Sequence, residues 1–368
     1  MTVFQLPDSL SSEPILQCLV VLIYSPVFSR QAIMALKLSP RSVITSNSGM
    51  KMPVLGLGTL VNTDQQELET ALDAALDAGY RHFDTAYVYH NEAAIGKVLK
   101  KWFDSGRIKR EELFIVTKLW RTGMHEKYVE ESLTRQLADL QLTYVDLYLI
   151  HSPVGFVHGD DLFPKDEEGN MKLDMTTDLE AVWKAMERQV DAGRTKFIGV
   201  STFNIEQLER IRKIARIMPS TNQIECHLYL QEKELREWAW SHGSTVTAFS
   251  PFGSPGIISM LQQHGIATEK QITLNPLKNP SVVRIAESHK RTPGQVLLRH
   301  LLQLGVSAIP KSSNPERIRQ NFQVFDFELS EKEMAELNAL DKGEDGRKFG
   351  ISDMMKGCER HPEYPFKS

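Results

Sequence analysis

The sequence predicts an α/β protein built on a single (β/α)8 barrel. Beyond Met50, short apolar runs rich in Val, Ile and Phe alternate with longer segments of helical period, and eight such runs occur. Strands that are apolar throughout, each followed by a helix, are typical of a parallel sheet covered by helices. Eight strands favour a closed barrel, whereas a count nearer six would favour an open, doubly wound sheet. The length of 368 residues fits one barrel with extra loops and a tail.

The predicted strands and helices alternate along the chain. The strands are residues 54–59, 80–86, 113–120, 145–153, 196–202, 221–227, 245–251 and 306–312. The helices are residues 64–78, 91–105, 125–140, 178–192, 204–216, 231–242 and 282–304. In the first helix, Leu68, Ala71 and Leu72 belong to an apolar set spaced by three and four residues, which predicts one buried face. No low-complexity linker divides residues 50–340, so we expect one barrel domain over residues 46–368, preceded by an extension over residues 1–45.

The composition excludes several classes of protein. Hydrophobic residues make up 41% and charged residues 24%, which excludes a disordered or collagen-like chain. The formal net charge of −4 gives no general attraction to nucleic acid or to an anionic membrane. The three cysteines are far apart, which fits a reducing compartment such as the cytoplasm. No histidine pair has the spacing of a metalloenzyme motif, so we expect no catalytic metal.

The N-terminal extension contains one strongly apolar run, at residues 15–24. This run is too short to span a bilayer as a helix, but it suits the apolar region of a secretory signal. Asp8 and Glu13 precede it without any basic residue, and the sequence after it is a poor cleavage site. We therefore favour an extension outside the fold, or a start at Met34, and keep secretion as the alternative.

Every predicted strand has a polar or charged residue at or near its C-terminal end. These residues are Thr59, Asp84, Lys118, His151, Ser201, Gln223, Ser250 and Lys311. In a (β/α)8 barrel the C-terminal ends of the strands surround the active site, whereas the opposite ends mostly stabilise the fold. The aspartate, the lysine and the histidine would be costly to bury without partners. We therefore expect the functional site at this end of the barrel.

Four motifs carry a resemblance to a known family. They are the segment from Asp84 to Glu92 (DTAYVYHNE), Lys118 after FIVT, His151 after DLYLI, and residues 309–312 (IPKS). Together they resemble the signatures of the aldo-keto reductase superfamily, and the match runs from Pro53 to Pro365. The resemblance implies a (β/α)8 TIM barrel that uses NADPH without a Rossmann domain. It also implies a monomer, and a C-terminal tail, including residues 361–366, that closes one wall of the substrate pocket.

The family assigns catalytic roles to four residues that match in this chain: Asp84, Tyr89, Lys118 and His151. Reduction of a carbonyl needs a hydride donor for the carbon and a proton donor for the oxygen. Tyr89 would donate the proton, and Lys118 would lower its pKa from about 10 toward neutrality. Asp84 would hold Lys118, and His151 would donate a hydrogen bond to the substrate oxygen. The plain alternatives are a packed aromatic ring at position 89 and a structural ion pair between Asp84 and Lys118.

The resemblance also implies an NADPH site. The matching residues are Thr59, Ser201, Thr202, Gln223, Phe249, Ser250, Phe252, Ser254, Lys311, Ser312, Arg317 and Asn321. Thr202 stands where the family usually has asparagine, and Phe249 stands where it usually has a stacking tyrosine. Lys311 and Arg317 offer two cations to a 2′-phosphate, which favours NADPH over NADH. For Arg317 the alternative is an exposed cation on a helix that begins at Pro315.

The predicted substrate pocket is formed by Leu60, Val88, Trp120 and Ser152. Aldose-reductase-like members often have tryptophan at the first and last of these positions. The loss of two indoles would widen the pocket, so we expect bulky apolar or ring carbonyls to be preferred over sugars. The IHSP and LRHL segments are similar to those of insect 3-dehydroecdysone reductases, which implies a steroid-like ketone. The alternative is a broad aldehyde reductase.

A second class of function remains open beside the enzyme. Some family members keep the fold and the cofactor but serve as binding or structural proteins. The presence of Asp84, Tyr89, Lys118 and His151 favours the enzyme.

Overall fold

The computed structural model describes residues 37–60 and 64–366. Residues from Leu38 onward belong to one compact unit. The apolar run at residues 15–24 and Met34 lie outside the described residues. No helix in the described part of the chain is both long enough and apolar enough to cross a membrane.

A short hairpin at the start of the compact unit is absent from the sequence prediction. Its strands, β1 (Val43–Thr45) and β2 (Lys51–Pro53), pair antiparallel. Met52 is fully buried, and Thr247, on a barrel strand, contacts its Sδ through the side-chain hydroxyl at 3.9 Å. The hairpin therefore packs on the barrel, and the folded unit includes residues 38–45, which precede the predicted domain start at residue 46.

The barrel itself is confirmed, with eight parallel strands in chain order. They are β3 (Leu57–Gly58), β4 (His82–Asp84), β5 (Phe114–Leu119), β6 (Val145–Ile150), β7 (Thr195–Ser201), β8 (Thr221–Glu225), β9 (Thr245–Phe249) and β10 (Ser307–Ala308). Parallel bridges from Leu55 to Ala308 and from Gly58 to Lys311 join the first barrel strand to the last. This closure brings the C-terminal ends of all eight strands to one rim, where the polar residues of the sequence pattern meet.

Helices surround the barrel. They are α1 (Gln65–Ala78), α2 (Glu92–Asp104), α3 (Val129–Leu140), α4 (Leu179–Asp191), α5 (Ile205–Ile214), α6 (Lys233–Ser241), α7 (Pro255–Gln263), α8 (Glu269–Thr273), α9 (Pro280–His289), α10 (Pro293–Gln303), α11 (Pro315–Phe322), α12 (Glu331–Asn338) and α13 (Ile351–Met354). Helix α1 begins after Asp64, which accepts a hydrogen bond from the N–H of Glu67. It ends at Gly79, whose φ of 106° is a conformation that glycine adopts without strain.

One helix prediction is wrong. The segment 282–304 was predicted as one helix, but it forms α9 and α10 with a break between them. Lys290 has a φ of 54° and ends α9, and Thr292 caps α10 through its hydroxyl. Pro293 suits the first turn of a new helix but has no N–H to continue the old one, so the chain turns here.

Candidate active site

A cavity of about 860 Å³ opens at the C-terminal ends of the barrel strands. Of the twenty site residues predicted from the sequence, Lys118 and Ser152 are the two that do not line it. Lys118 lies directly beneath the cavity floor and is fully buried. The cavity is continuous from Tyr89 and His151 at one end to Lys311 and Arg317 at the other.

Lys118 is the centre of a buried hydrogen-bond network. Its ammonium donates to Asp84 Oδ1 at 2.6 Å, to the carbonyl of Thr85 at 2.8 Å and to Tyr89 Oη at 3.4 Å. The second carboxylate oxygen, Asp84 Oδ2, accepts a hydrogen bond from Gln223 Nε2 at 2.7 Å. Burial alone would lower the pKa of Lys118, but Asp84 and Tyr89 together raise it above its ordinary value. Lys118 is therefore charged, and its charge is directed at the Tyr89 hydroxyl.

Tyr89 is placed by a single turn of 3-10 helix, Tyr87–Tyr89, that follows β4. Its pKa differs from the prediction, because burial raises the pKa of the phenol and outweighs the lowering by Lys118. The expectation of a net shift toward neutrality is wrong for this structure. Tyr89 is protonated at neutral pH, which is the state that a proton donor requires.

His151 is a neutral imidazole. Burial lowers its pKa well below the ordinary value, and the nearby charges of Lys118 and Arg121 lower it further. Its ring lies 5.9 Å from the Tyr89 ring and 5.1 Å from the Trp120 ring, centroid to centroid. Nδ1 is buried without a hydrogen-bond partner among the described residues. His151 lines the cavity, and a neutral ring can donate a hydrogen bond there without bringing a charge.

The predicted cofactor residues line the part of the same cavity that extends from Tyr89 and His151 toward Lys311 and Arg317. This part is called the long arm below. Ser201 ends β7 and pairs with Gln223, which lies within the neighbouring strand β8. Phe249 ends β9, and beyond it the hydroxyls of Ser250 and Ser254 lie 2.6 Å apart in the turn before α7. Thr59, by contrast, donates its hydroxyl to the carbonyl of Asp84 at 3.0 Å. It therefore holds the floor of the site as well as lining it.

Two cations lie at the far end of this arm. Arg317 is in the first turn of α11, and Lys311 lies in the segment between β10 and α11. Neither forms a salt bridge with any residue that the structure describes. Burial lowers the pKa of Lys311, Glu67 raises it, and Arg317 lowers it again. Two like charges beside the N-terminus of a helix form a site that suits a multiply charged anion. Ser312 and Asn321, both buried, line the cavity beside them.

The comparisons with known proteins agree with this geometry. The model of the aldo/keto reductase family matches residues 54–342. The chain belongs to the aldo/keto reductase family. It is 41% identical over 332 residues to "Aldo-keto reductase family 1 member A1-A" of Danio rerio, covering 88% of this chain and 98% of the relative. It is 42% identical over 329 residues to "Aldo-keto reductase family 1 member A1" of Mus musculus, again with 88% and 98% coverage.

A solved structure supports the same assignment. The aldose reductase from Schistosoma japonicum is 44% identical, with a TM-score of 0.78. The match covers 89% of this chain and 99% of that one. The (β/α)8 fold and the family therefore rest on both sequence and structure.

The part of the cavity around Trp120, where the sequence predicts the substrate pocket, is mostly apolar. Trp120 is held by a hydrogen bond from its Nε1 to the carbonyl of Leu162 at 2.9 Å, and the Phe163 ring packs edge-on against it. Leu60 and Phe163 are 38% and 39% exposed, so they stand at the open rim and can change its width. The prediction of Ser152 as a wall residue is not met. Its side chain is turned inward, where Oγ accepts from the N–H of Val154 at 3.4 Å.

The C-terminal tail forms one wall, as the resemblance implied. Residues 349–351, 354 and 355 line the cavity. Residues 361–366 instead anchor the tail to α5: Glu363 pairs with Arg210 at 2.8 Å, and Asn204 donates to the carbonyl of Pro365 at 3.0 Å. The wall and its anchor are therefore separate parts of the same segment.

Two polar residues that the sequence analysis missed belong to this site. Glu225, at the end of β8, accepts hydrogen bonds from the N–H groups of Lys348 and Phe349 at 2.9 and 3.0 Å, which fixes the start of the tail wall. Arg121, directly after Trp120, lines the cavity as a buried cation. Arg121 directly follows a predicted strand and Glu225 lies within one, so a charge in or beside an apolar run was the signal available.

Thr202 carries a strained backbone in this aldo-keto reductase, with a φ of 62°. Asparagine tolerates this left-handed region, whereas a β-branched residue there is an outlier that costs about 1–3 kcal/mol. We expect Thr202→Asn to raise the free energy of unfolding by about 1 kcal/mol. Thermal unfolding of this variant measures the gain, with Thr134→Asn on the exposed face of α3 as a control that should show none. An equal or lower stability of Thr202→Asn would contradict the strain.

Proposed function

We propose that this aldo-keto reductase reduces aldehydes and ketones to alcohols with NADPH. The observation that carries the proposal is the Asp84–Lys118–Tyr89 network, placed beside a neutral His151 on the floor of one deep cavity. A tyrosine that merely packed at the barrel mouth would not need a fully buried ammonium directed at its hydroxyl, because burying that charge is costly.

The residues of the long arm fit NADPH. Lys311 and Arg317, both without a salt-bridge partner among the described residues, would hold the 2′-phosphate, while Ser201 and Gln223 would hold the nicotinamide carboxamide. Phe249 offers a ring face for stacking. The cofactor supplies a hydride to the carbonyl carbon when it is bound.

The residues on the cavity floor would stabilise the negative charge that develops on the carbonyl oxygen and then protonate it. His151 and Tyr89 donate hydrogen bonds to that oxygen and polarise the carbonyl. The Tyr89 O–H bond then breaks as the alcohol O–H bond forms, which leaves a phenolate. Lys118 stabilises this phenolate, and Asp84 keeps Lys118 charged and in place. Because the pKa of Tyr89 is raised, the phenolate recovers its proton from solvent at neutral pH.

The shape of the pocket supports a preference for bulky apolar carbonyls, including steroid-like ketones such as a 3-dehydroecdysone-type substrate. Leu60 at the rim leaves space that an indole would fill, while Trp120, Phe163 and Met354 supply apolar contact. Sugars would have few aromatic faces to stack on. The sequence analysis expected the pocket to be wider at two positions, Leu60 and Ser152. Because the Ser152 side chain is buried and does not line the cavity, the expected preference for bulky substrates rests on Leu60 alone.

Leu60→Trp tests the pocket width. We expect the variant to lose about tenfold or more in kcat/KM for a steroid ketone, because an indole at the rim occupies the space of the rings. An aromatic aldehyde, being smaller, should lose less. Comparison of kcat/KM for a steroid ketone, benzaldehyde and glucose in both proteins measures this. Glucose as the best substrate, or a steroid rate untouched by the indole, would contradict the preference.

Lys311→Ala tests the choice of cofactor. NADPH binding should weaken by about ten- to a hundredfold, because a charge-assisted contact to the 2′-phosphate is lost. NADH binding should change little, since NADH has no such phosphate. Fluorescence titration with both cofactors decides the matter, and equal weakening of the two would count against the assignment.

The direct test of the proposed reaction is the loss of NADPH absorbance with purified protein and a panel of aldehydes and ketones. Turnover supports the enzyme. NADPH binding without turnover on any carbonyl would instead favour a binding or structural protein on the same fold.

We also propose that the protein is a monomer and that it works in the cytoplasm. Size-exclusion chromatography tests the oligomeric state, and localisation of the tagged protein tests the compartment.

A further inference from the structure

Gln136 is a fully buried polar residue outside the cavity. It lies on α3, in the layer of helices, and its side chain contacts the barrel wall from there. It does not line the cavity. A buried amide is costly unless its donors and acceptors are used, and the proposed reaction assigns Gln136 no task.

The side-chain amide of Gln136 joins three segments of the chain. Its Nε2 donates to Thr117 Oγ1 at 2.6 Å and to the carbonyl of Lys118 at 3.1 Å. Nε2 also lies 3.2 Å from Glu92 Oε1, and Oε1 of Gln136 accepts from the Tyr148 hydroxyl at 3.0 Å. The Thr117 hydroxyl in turn donates to Glu92 Oε1 at 2.5 Å. One side chain therefore ties α2, β5 and β6 together.

The orientation of the Gln136 amide is determined by its partners. A backbone carbonyl and a carboxylate oxygen can only accept, so the nitrogen must face Lys118 and Glu92. The amide oxygen then faces Tyr148, whose hydroxyl can donate. The side chain is therefore held in one orientation.

Each of the three segments carries one residue of the proposed reaction, within three positions of the partner of Gln136. The pairs are Glu92 with Tyr89, Thr117 with Lys118, and Tyr148 with His151. Successive side chains of a strand point to opposite faces, so Thr117 faces the helices while Lys118 faces the barrel interior. Gln136 is thus placed directly behind the floor of the site.

This cluster is a costly way to hold helices on a barrel. Glu92 is buried, and its Oε2 has no hydrogen-bond partner among the described residues. Burial raises the pKa of Glu92 to about 7, and the hydrogen bonds from Thr117 and Gln136 lower it in part. The charges of Asp139 and Lys118 act in opposite directions, the first raising this pKa and the second lowering it. Apolar side chains of the same volume often pack with equal or greater stability than buried ionisable groups.

We propose that Gln136 is a positioning residue, which holds Tyr89, Lys118 and His151 at their working distances from outside the barrel. The most sensitive of these distances is the 3.4 Å from Lys118 Nζ to Tyr89 Oη, the longest of the three hydrogen bonds of the ammonium. A small displacement of β5 against the turn Tyr87–Tyr89 would break it first. This inference rests on the proposed carbonyl reduction.

Gln136→Met tests the proposal, because methionine keeps the length of the side chain and removes its hydrogen bonds. We expect kcat for one good aldehyde to fall by about ten- to a hundredfold, the effect of slightly misplaced reacting groups. NADPH affinity should change little. In the proposed mechanism the reverse reaction, alcohol oxidation, needs the Tyr89 phenolate. Lys118 lowers the pKa of Tyr89, so a weaker contact should move the rise of the oxidation rate to higher pH.

Gln189 provides the matched control. It is a glutamine of α4, 1% exposed, that donates to the carbonyl of Ala185 and accepts from Arg194, both at 3.1 Å. Arg194 directly precedes β7, at the end of the barrel opposite the cavity. Gln189→Met should lower thermal stability and leave kcat and the pH profile unchanged. An equal effect of both substitutions on kcat and on the pH profile would show a general loosening of the barrel and overturn the proposal.

Two milder variants keep the proposal falsifiable if Gln136→Met does not fold. Thr117→Val keeps the shape of the side chain without its hydroxyl, and Tyr148→Phe keeps the ring without its hydroxyl. Both should change kcat and the pH profile in the same direction as Gln136→Met, by less. Wild-type kcat and pH profile in both variants would overturn the proposal.

Crystal structures separate this inference from the proposed function, since they need no turnover. The hydrogen bond between Lys118 Nζ and Tyr89 Oη should be present in the wild type and in Gln189→Met, and absent from Gln136→Met. If no carbonyl were reduced but the bond were lost in Gln136→Met alone, the proposed reaction would fail and the positioning role would stand. Retention of the bond in Gln136→Met would remove the positioning role, whatever the activity of the wild type.

Discussion

Tyr89→Phe is expected to lower kcat by about a hundred- to ten-thousandfold, the usual share of general acid catalysis. The variant keeps the ring that packs edge-on against His151 and removes the hydroxyl that Lys118 contacts at 3.4 Å. NADPH affinity should change little, because in the proposed reaction the hydroxyl contacts the substrate. Steady-state kinetics with one good aldehyde, together with a cofactor titration, measures both quantities.

Tyr87→Phe is the matched control for this substitution. Tyr87 lies in the same 3-10 turn, but its hydroxyl accepts a hydrogen bond from Arg135 at 2.7 Å, outside the cavity. Removal of that hydroxyl should leave kcat near the wild-type value. Wild-type turnover in Tyr89→Phe, or an equal loss in both variants, would disprove the assignment of Tyr89 as the acid.

Lys118→Met is expected to lower kcat by about a hundred- to a thousandfold, the usual loss when a preorganised electrostatic group is removed. It also leaves Asp84 buried without its cation, and breaking such a pair costs about 3–5 kcal/mol of stability. Asp84→Asn keeps the ammonium and removes the carboxylate charge, so its kcat should fall less. Kinetics and thermal unfolding of both variants separate the catalytic loss from the structural one.

The pH profile of the reverse reaction gives a further readout for Lys118. In the proposed mechanism alcohol oxidation needs the Tyr89 phenolate, so its rate should rise as pH approaches the pKa of Tyr89. Lys118 lowers that pKa, and its loss should move the rising limb of the profile to higher pH. If the oxidation rate of the variant rose at the same pH as that of the wild type, Lys118 would act only on the stability of the fold.

Much of this site could be predicted from the sequence because barrel geometry ties position along a strand to position in space. Asp84, Lys118 and His151 each end an apolar run, and parallel strands bring their ends to one rim. Periodicity likewise predicted the helices on the outer face. The break at Lys290 was not predicted, because the segments on both sides of it have apolar residues at helical spacing. Thr292 and Pro293 are nevertheless a signal for the start of a new helix.

The remaining features depend on packing that no local pattern records. The inward turn of Ser152 follows from its hydrogen bond to Val154, and the raised pKa of Tyr89 follows from burial that outweighs one nearby charge. Arg121 Nε and Nη1 are buried without a hydrogen-bond partner among the described residues, and the side chains around them come from distant segments such as residues 358 and 364. Sequence spacing identified which residues meet, but not how each is solvated.

Transfer of deuterium tests the central claim most directly. The purified protein would be incubated with an aldehyde and NADPH carrying deuterium at both C4 positions, and the alcohol analysed by mass spectrometry. The account predicts an alcohol with one deuterium on its carbinol carbon, and far slower formation of that product by Tyr89→Phe. An alcohol without deuterium, or no alcohol from any aldehyde or ketone that the cavity admits, would contradict it.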